Sequence, residues 1–262
     1  MTTEYTLASG MRFWVARPDT QERRPALLML HERYGPVKHS FDVIERVAAE
    51  GYVACFPDMF HRFKGDRGPI ENGQARIDPT DAESLTDLDE TFTHLRTLDY
   101  VDANKIGIVG FCLSGRTPLV FAAQRKGATA IVIFHGGAYP RDYAGELPGQ
   151  HPVGEIIPKV ACPVLGIFGE RDQLVPLANV ARFKRDLERG GQSYRIRVIA
   201  GVPHAWLNST TPKAYHAKEA EAAWKIMFQF FSEVFDGKWN GPQLRQEFES
   251  DPAITFDFSS AG

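Results

Sequence analysis

The chain has 262 residues, 43% hydrophobic and 24% charged, with 23 Gly and 17 Pro; this is the usage of an ordinary folded protein and excludes collagen, coiled coil and disorder. Thirty Lys plus Arg against 33 Asp plus Glu leave a net charge of −3, so no overall field draws the chain to nucleic acid or to an anionic membrane. No uncharged apolar run reaches the ~20 residues that span a bilayer, and the opening MTTEYTLASGMRFW has neither the basic nor the apolar block of a secretory signal, which predicts a cytoplasmic protein without membrane partners.

Short β-prone runs alternate with segments of helical period, the pattern of an α/β protein with a mostly parallel sheet and helices on both faces. Residues 4–8 and 11–17 flank the turn Ser9-Gly10 and predict an antiparallel hairpin at one sheet edge. Residues 25–31 (PALLMLH) and 52–56 (YVACF) read as buried strands joined by an amphipathic helix that turns Phe41, Ile44, Val47 and Ala48 inward and closes at Gly51. A polar loop follows from Pro57 to about Pro79, long enough to imply a functional role. Asp81 is the expected N-cap of a helix carrying Leu85, Leu88, Phe92, Leu95 and Leu98.

Strand 105–111 (KIGIVGF) then runs into a glycine-framed turn and a helix starting near Gly115. Strands over 128–134, 163–168 and 194–200, with helices near 177–189 and 216–235, complete the pattern. Residues 238–262 have no clear period, yet Trp239, Leu244, Phe248, Ile254, Phe256 and Phe258 are too apolar for a solvated tail. The expected organisation is therefore one body over 1–237 and an extension over 238–262 that packs on the body or on a partner subunit, in a monomer or homodimer.

The three cysteines, Cys55, Cys112 and Cys162, are odd in number and form no C-x-x-C, so neither a disulfide framework nor a cysteine zinc site is indicated and no metal or other cofactor is called for. Cys55 and Cys162 sit in or beside apolar strands and read as small buried hydrophobes. Cys112 differs. In Gly110-Phe111-Cys112-Leu113-Ser114 it stands between a strand and a helix with small residues two positions either side, the spacing of a nucleophile elbow. A helix N-terminus there also favours a thiolate.

A thiol nucleophile working on an acyl group needs a base and an acid to orient it, in this fold in the chain order nucleophile, acid, histidine. Asp172, in Gly169-Glu170-Arg171-Asp172 just past a strand end, and His204, in Val202-Pro203-His204-Ala205-Trp206 after the last strand, fall in that order. Taken alone, Asp172 reads as a turn residue and His204 as a loop residue; the elbow reverses both. His135-Gly136-Gly137 resembles a lipase oxyanion motif but follows the nucleophile instead of preceding it, so it reads as loop chemistry, and the remaining histidines suit surface or structural places.

At this point the sequence resembles the dienelactone hydrolase family, a cysteine-using branch of the α/β-hydrolase fold. The resemblance is carried by Gly110-Phe111-Cys112-Leu113-Ser114-Gly115, the stretch from Gly169 to Pro176, His204-Ala205-Trp206, His31-Glu32-Arg33-Tyr34-Gly35 and Phe56-Pro57-Asp58-Met59-Phe60, and spans roughly residues 25 to 235. It implies Cys112 as nucleophile, His204 as base, Asp172 as orienting acid, Glu32 as a carboxylate contacting the resting thiol, and the backbone N–H groups of Arg33 and Leu113 as oxyanion hole. Independently, a carboxylate at residue 32 ends an apolar strand beside the elbow strand, where it can accept from a thiol, although one Glu after a strand also reads as an exposed loop acid.

Two departures bear on substrate. Relatives acting on dienelactone hold its carboxylate with arginines, one of them four residues after the histidine, where this sequence has Asn208. Arg62 and Arg76 in the long loop are candidate replacements, with Tyr34 and Trp206 as further pocket residues. Ser114 stands in place of a second glycine. The reading that follows is a cofactor-independent hydrolase of a small-molecule lactone or ester acting through a thioester; the alternatives are a general esterase or thioesterase and, from another class, a catalytically silent binding module.

Overall fold

In the computed structural model, which describes residues 2–239 and 241–259, the chain opens on an antiparallel pair, β1 (Thr2–Thr6) and β2 (Arg12–Ala16). The alternation that follows is β3 (Arg24–Leu30), α1 (Lys38–Ala49), β4 (Val53–Pro57), α2 (Gly68–Glu71), α3 (Asp81–Thr97), β5 (Val101–Phe111), α4 (Arg116–Gln124) and β6 (Ala130–Phe134). Two short helices, α5 (Pro140–Ala144) and α6 (Val153–Ile156), precede β7 (Val164–Gly169), α7 (Leu177–Arg189), β8 (Tyr194–Ile199), α8 (Ala217–Phe235) and β9 (Gln246–Ser250). The strands form one sheet in the order β1-β2-β4-β3-β5-β6-β7-β8-β9, antiparallel only at the β1/β2 and β2/β4 pairings.

The strand period of two divides the core between the faces of the sheet. Leu28, Ile106, Ile108, Ile131 and Ile133 face α3, α4 and α7, whereas Leu27, Met29, Val109 and Val132 face α1 and α8. Central strands apolar on both sides are what parallel pairing between two helical layers requires. Every crossover returns the chain to the same side, so β3, β5, β6, β7 and β8 all end at one edge, where an open α/β sheet places its ligands.

One local expectation is corrected. The cap of α3 is Thr80, not Asp81: Thr80 Oγ1 accepts the Glu83 N–H at 3.1 Å while Glu83 Oε2 accepts the Thr80 N–H at 2.8 Å, a reciprocal box that satisfies two end amides. Asp81 is thereby released to pair with Arg116 at 2.8 Å in a buried contact. Residues 246–250 add the parallel edge strand β9, which no periodicity announces because QEFES has one apolar side chain among charges. Its glutamates find partners in cross-strand ion pairs, Glu247 with Arg195 at 2.5 Å and Glu249 with Arg197 at 3.0 Å.

Candidate active site

The tight turn after β5 is made by the sequence at two levels. Gly110 is required by space, since a Cβ there would lie 2.4 Å from the Ser114 carbonyl oxygen. Ser114 is small enough to fit and adds a tie: its hydroxyl accepts the Phe111 N–H at 3.0 Å and lies 3.1 Å from the Leu30 carbonyl it can donate to, fastening the elbow to β3. Cys112 is left at φ 50°, in the left-handed region. His135 and Ala205, at φ 38° and 60°, share that rare conformation at the same edge, and strain of this kind gathers at functional sites.

Three strand ends converge in one line. His204 Nε2 lies 3.1 Å from Cys112 Sγ, and His204 Nδ1 lies 2.8 Å from Asp172 Oδ2. Asp172 is buried, and its other oxygen accepts the amides of Leu174 at 2.9 Å and Val175 at 3.0 Å. Burial pushes the His204 pKa down, but the hydrogen bonds to Asp172 and Cys112 outweigh it and bring it up to about 10. The other thiols differ: Cys55 is fully buried, donates to the Leu27 carbonyl, and is pushed far up by burial alone, and Cys162 packs against the core.

A pocket of about 540 Å³ opens over this line, bounded by Glu32, Arg33, Tyr34, Arg76, Tyr139, Arg141 and Leu174 among others. Its walls mix apolar rings with a guanidinium rim, the usual make-up of a small-molecule site. Arg33 sends Nη2 to the carbonyls of Gly73 and Ala75 at 3.0 and 3.1 Å, which anchors the long loop and sets Arg76 at the mouth. Asp78 bridges the rim, 2.7 Å from Arg76 and 3.5 Å from Arg141. Leu113 is the second residue of the turn at Cys112–Gly115, a position whose amide has no intrahelical acceptor.

Three expectations are corrected by these contacts. Glu32 borders the pocket, but its oxygens go to Asn208 Nδ2 at 2.6 Å and His135 Nε2 at 3.4 Å, while the thiol's partner is His204. Arg62 is outside the pocket lining; it grips Asp87 of α3 with both nitrogens, at 2.7 and 2.6 Å. Trp206 is fully buried in the core beneath α8, because the turn at Ala205 sends His204 towards the pocket and the next ring the other way. Sequence reasoning missed His135, whose buried ring meets that of His204 edge-on at 4.9 Å, and the pocket residues Tyr139 and Arg141. The available signal was position: His135 ends β6, between the strands that end at Cys112 and near Asp172.

Burial opposes charge on Glu32, yet the hydrogen bond from His135, the nearby His39 and the Asn208 amide outweigh it and hold the carboxyl below its usual range. His135 is itself pushed down by burial, so it acts as a neutral Nε2–H donor. Among the described residues no cluster of His, Cys, Asp and Glu could hold a metal ion, and no helix is long and apolar enough to cross a membrane.

With that geometry in place, comparison with known proteins is specific. A family model for the dienelactone hydrolase family matches residues 11–235. A protein of Methylorubrum extorquens named "Putative carboxymethylenebutenolidase" is 29% identical over 212 residues, covering 79% of this chain and 71% of its own. One of the same name from Yersinia pestis is 28% identical over 230 residues, covering 84% and 82%. Among solved structures, one described as "Putative Dienelactone Hydrolase" from Klebsiella pneumoniae superposes with a TM-score of 0.78 at 26% identity, over 89% of this chain and 98% of that one.

Proposed function

The chain belongs to the dienelactone hydrolase family, and from that premise we propose that it hydrolyses a lactone or small carboxylic ester through a thioester on Cys112, with His204 as base and Asp172 as its orienting acid. The observation that carries this reading is the unbroken line from Sγ to Nε2 at 3.1 Å and from Nδ1 to Oδ2 at 2.8 Å, opening into a pocket.

In the cycle, the Cys112 proton passes to His204, the sulfur attacks the carbonyl carbon and the C–O bond to the leaving oxygen breaks. His204 returns a proton to that oxygen, which in a lactone stays tethered to the acyl chain. Water then gives a proton to His204 and attacks the thioester, releasing the acid and restoring the thiol. The amides of Arg33 and Leu113 receive the oxyanion, a task worth about 10²–10³ in rate per donor. Tyr34, Tyr139 and Leu174 supply the apolar wall, and Arg76 faces any anionic group on the substrate.

The test is a panel of p-nitrophenyl esters, plain lactones and dienelactones, with acyl-enzyme trapped by acid quench and located by peptide mass spectrometry. Acyl mass on the peptide containing Cys112, absent from Cys112→Ala, is the expected result. An inert thiol with no turnover of any substrate would return the chain to the class of silent binding modules, and turnover surviving in Cys112→Ala would remove the nucleophile.

A further inference from the structure

The cycle above makes no use of His135-Gly136-Gly137, yet the structure gives its two glycines a task. A Cβ at residue 136 would lie 2.2 Å from the Cys112 carbonyl oxygen, and one at residue 137 would lie 2.7 Å from that of Gly115. Only a chain without side chains at both positions can run this close to the elbow. Gly137 also adopts φ 67°, in the left-handed region. The segment that leaves β6 is thereby laid against the backbone of Cys112 itself, and two residues further on it delivers Tyr139 into the pocket that Cys112 lines.

Tyr139 is firmly placed. Its N–H donates to Asp142 Oδ2 at 3.3 Å, and Pro140 follows as the first residue of α5, where its fixed φ suits a helix start. Just before it, the Ala138 carbonyl accepts Asn179 Nδ2 of α7 at 2.8 Å. The ring is buried, lies 6.0 Å from that of His204 and carries the Arg141 guanidinium 5.2 Å from its centre. Its hydroxyl is less committed. The oxygen is 3.5 Å from the His135 carbonyl, a long contact that holds the proton weakly. The phenol also hydrogen-bonds to the Cys112 side chain, and burial together with the Cys112 charge keeps its pKa far above the ordinary value. The group is therefore a neutral O–H donor beside the sulfur.

We propose that Tyr139 is a further catalytic residue: its hydroxyl donates to the Cys112 sulfur as that sulfur leaves the thioester, and so speeds release of the acid. After water has added to the thioester, the C–S bond breaks and its electron pair goes to sulfur. The Tyr139 O–H and the His204 Nε2–H meet that charge together; the phenol keeps its proton, and His204 gives its own to restore the thiol. Acylation gains much less, because a donor that stabilises the thiolate before attack is weakened as the new C–S bond forms. The proposal rests on the reading of Cys112 as nucleophile and adds a group that acts on the second half of the cycle.

The experiment follows both halves of the cycle with p-nitrophenyl acetate on the full chain. Quench-flow measures the nitrophenol released in acylation, and mass spectrometry of the quenched protein measures the decay of acetylated Cys112 once substrate is exhausted. Tyr139→Phe keeps the ring and its neighbours and removes only the donor. Its acetyl-enzyme is expected to decay roughly tenfold more slowly than that of wild type, with the second-order acylation rate within about threefold, so that kcat and KM fall together. Tyr143→Phe removes another buried hydroxyl from α5, outside the lining of the catalytic pocket, and is expected to keep both wild-type rates. The proposal fails if Tyr139→Phe deacylates within about threefold of wild type, if acylation and deacylation fall by the same factor, or if Tyr143→Phe slows deacylation as much. A wild type that never carries acetyl on Cys112 overturns the nucleophile reading and this proposal with it, whereas an acetylated wild type matched by Tyr139→Phe in both rates overturns this proposal alone.

Discussion

Asp172 holds His204 with one carboxylate oxygen, Oδ2 to Nδ1 at 2.8 Å, and holds its own turn with the other, which takes the amides of Leu174 and Val175 at 2.9 and 3.0 Å. The backbone therefore orients the acid, and the acid orients the imidazole. Leu174, half exposed at the pocket mouth, rides on the same turn, so the carboxylate that holds the imidazole also sets one wall of the pocket.

Replacing that carboxylate tests the coupling. Asp172→Asn keeps the size but offers an amide N–H to a ring nitrogen that needs an acceptor, and kcat is expected to fall by about 10³–10⁴. Steady-state kinetics on the best ester of the panel read it; a loss smaller than about tenfold would separate Asp172 from the base.

The raised pKa of His204, about 10, also carries a stability signature. Its folded value lies above the ordinary one near 6.5, so the stabilisation is fully present below that pH and is lost as pH rises through the folded value. The gap in Tm between wild type and His204→Gln is expected to be widest near pH 6 and to close between about pH 7 and 10. A gap that is flat over this range would contradict the charged pair.

The fold was legible where burial writes a strong pattern. The alternation of apolar runs with amphipathic segments locates β3 to β8 and the large helices, because parallel strands between two helical layers must be apolar on both faces. The line Cys112, Asp172, His204 was legible for a related reason: each follows a strand, and strand ends at one edge meet. What escaped was decided by tertiary contacts with no local signal. Nothing near Arg62 reveals that Asp87 will claim it from α3, and nothing near Trp206 reveals that a left-handed Ala205 turns it into the core. Asn208 was noted as a missing arginine; that it grips Glu32, 176 residues away, is visible only once the strands are assembled.

The displaced role of Arg62 gives a contrast between stability and catalysis. Its guanidinium pairs bidentately with a nearly fully buried Asp87, whose other side-chain partner among the described residues is His61 at 3.2 Å. Arg62→Ala should cost on the order of 1–3 kcal/mol in urea unfolding through the buried carboxylate left short of donors, with kcat/KM within about twofold of wild type. A large kinetic loss at unchanged stability would put Arg62 back at the substrate.

The remaining rim arginines bear on substrate charge. Arg76 lines the pocket mouth, Arg141 lines it from α5, and Asp78 lies between them, 2.7 and 3.5 Å away. Glu146 also lines the pocket, so the rim has no clear surplus of charge, but an anionic group entering beside Arg76 or Arg141 meets charge-assisted donors in place of the arginine absent at residue 208. Because the rim is partly open to water, each arginine is expected to contribute only about 1 kcal/mol, or roughly fivefold. Matched lactones with and without a carboxylate, at low salt, measure this directly: the carboxylate should raise kcat/KM in wild type, Arg76→Ala and Arg141→Ala should each reduce that gain about fivefold, and Asp78→Ala should increase it. If the carboxylate gives no gain in wild type, or if both arginine variants keep the whole of it, the pocket takes neutral esters and the rim charge serves only the loop.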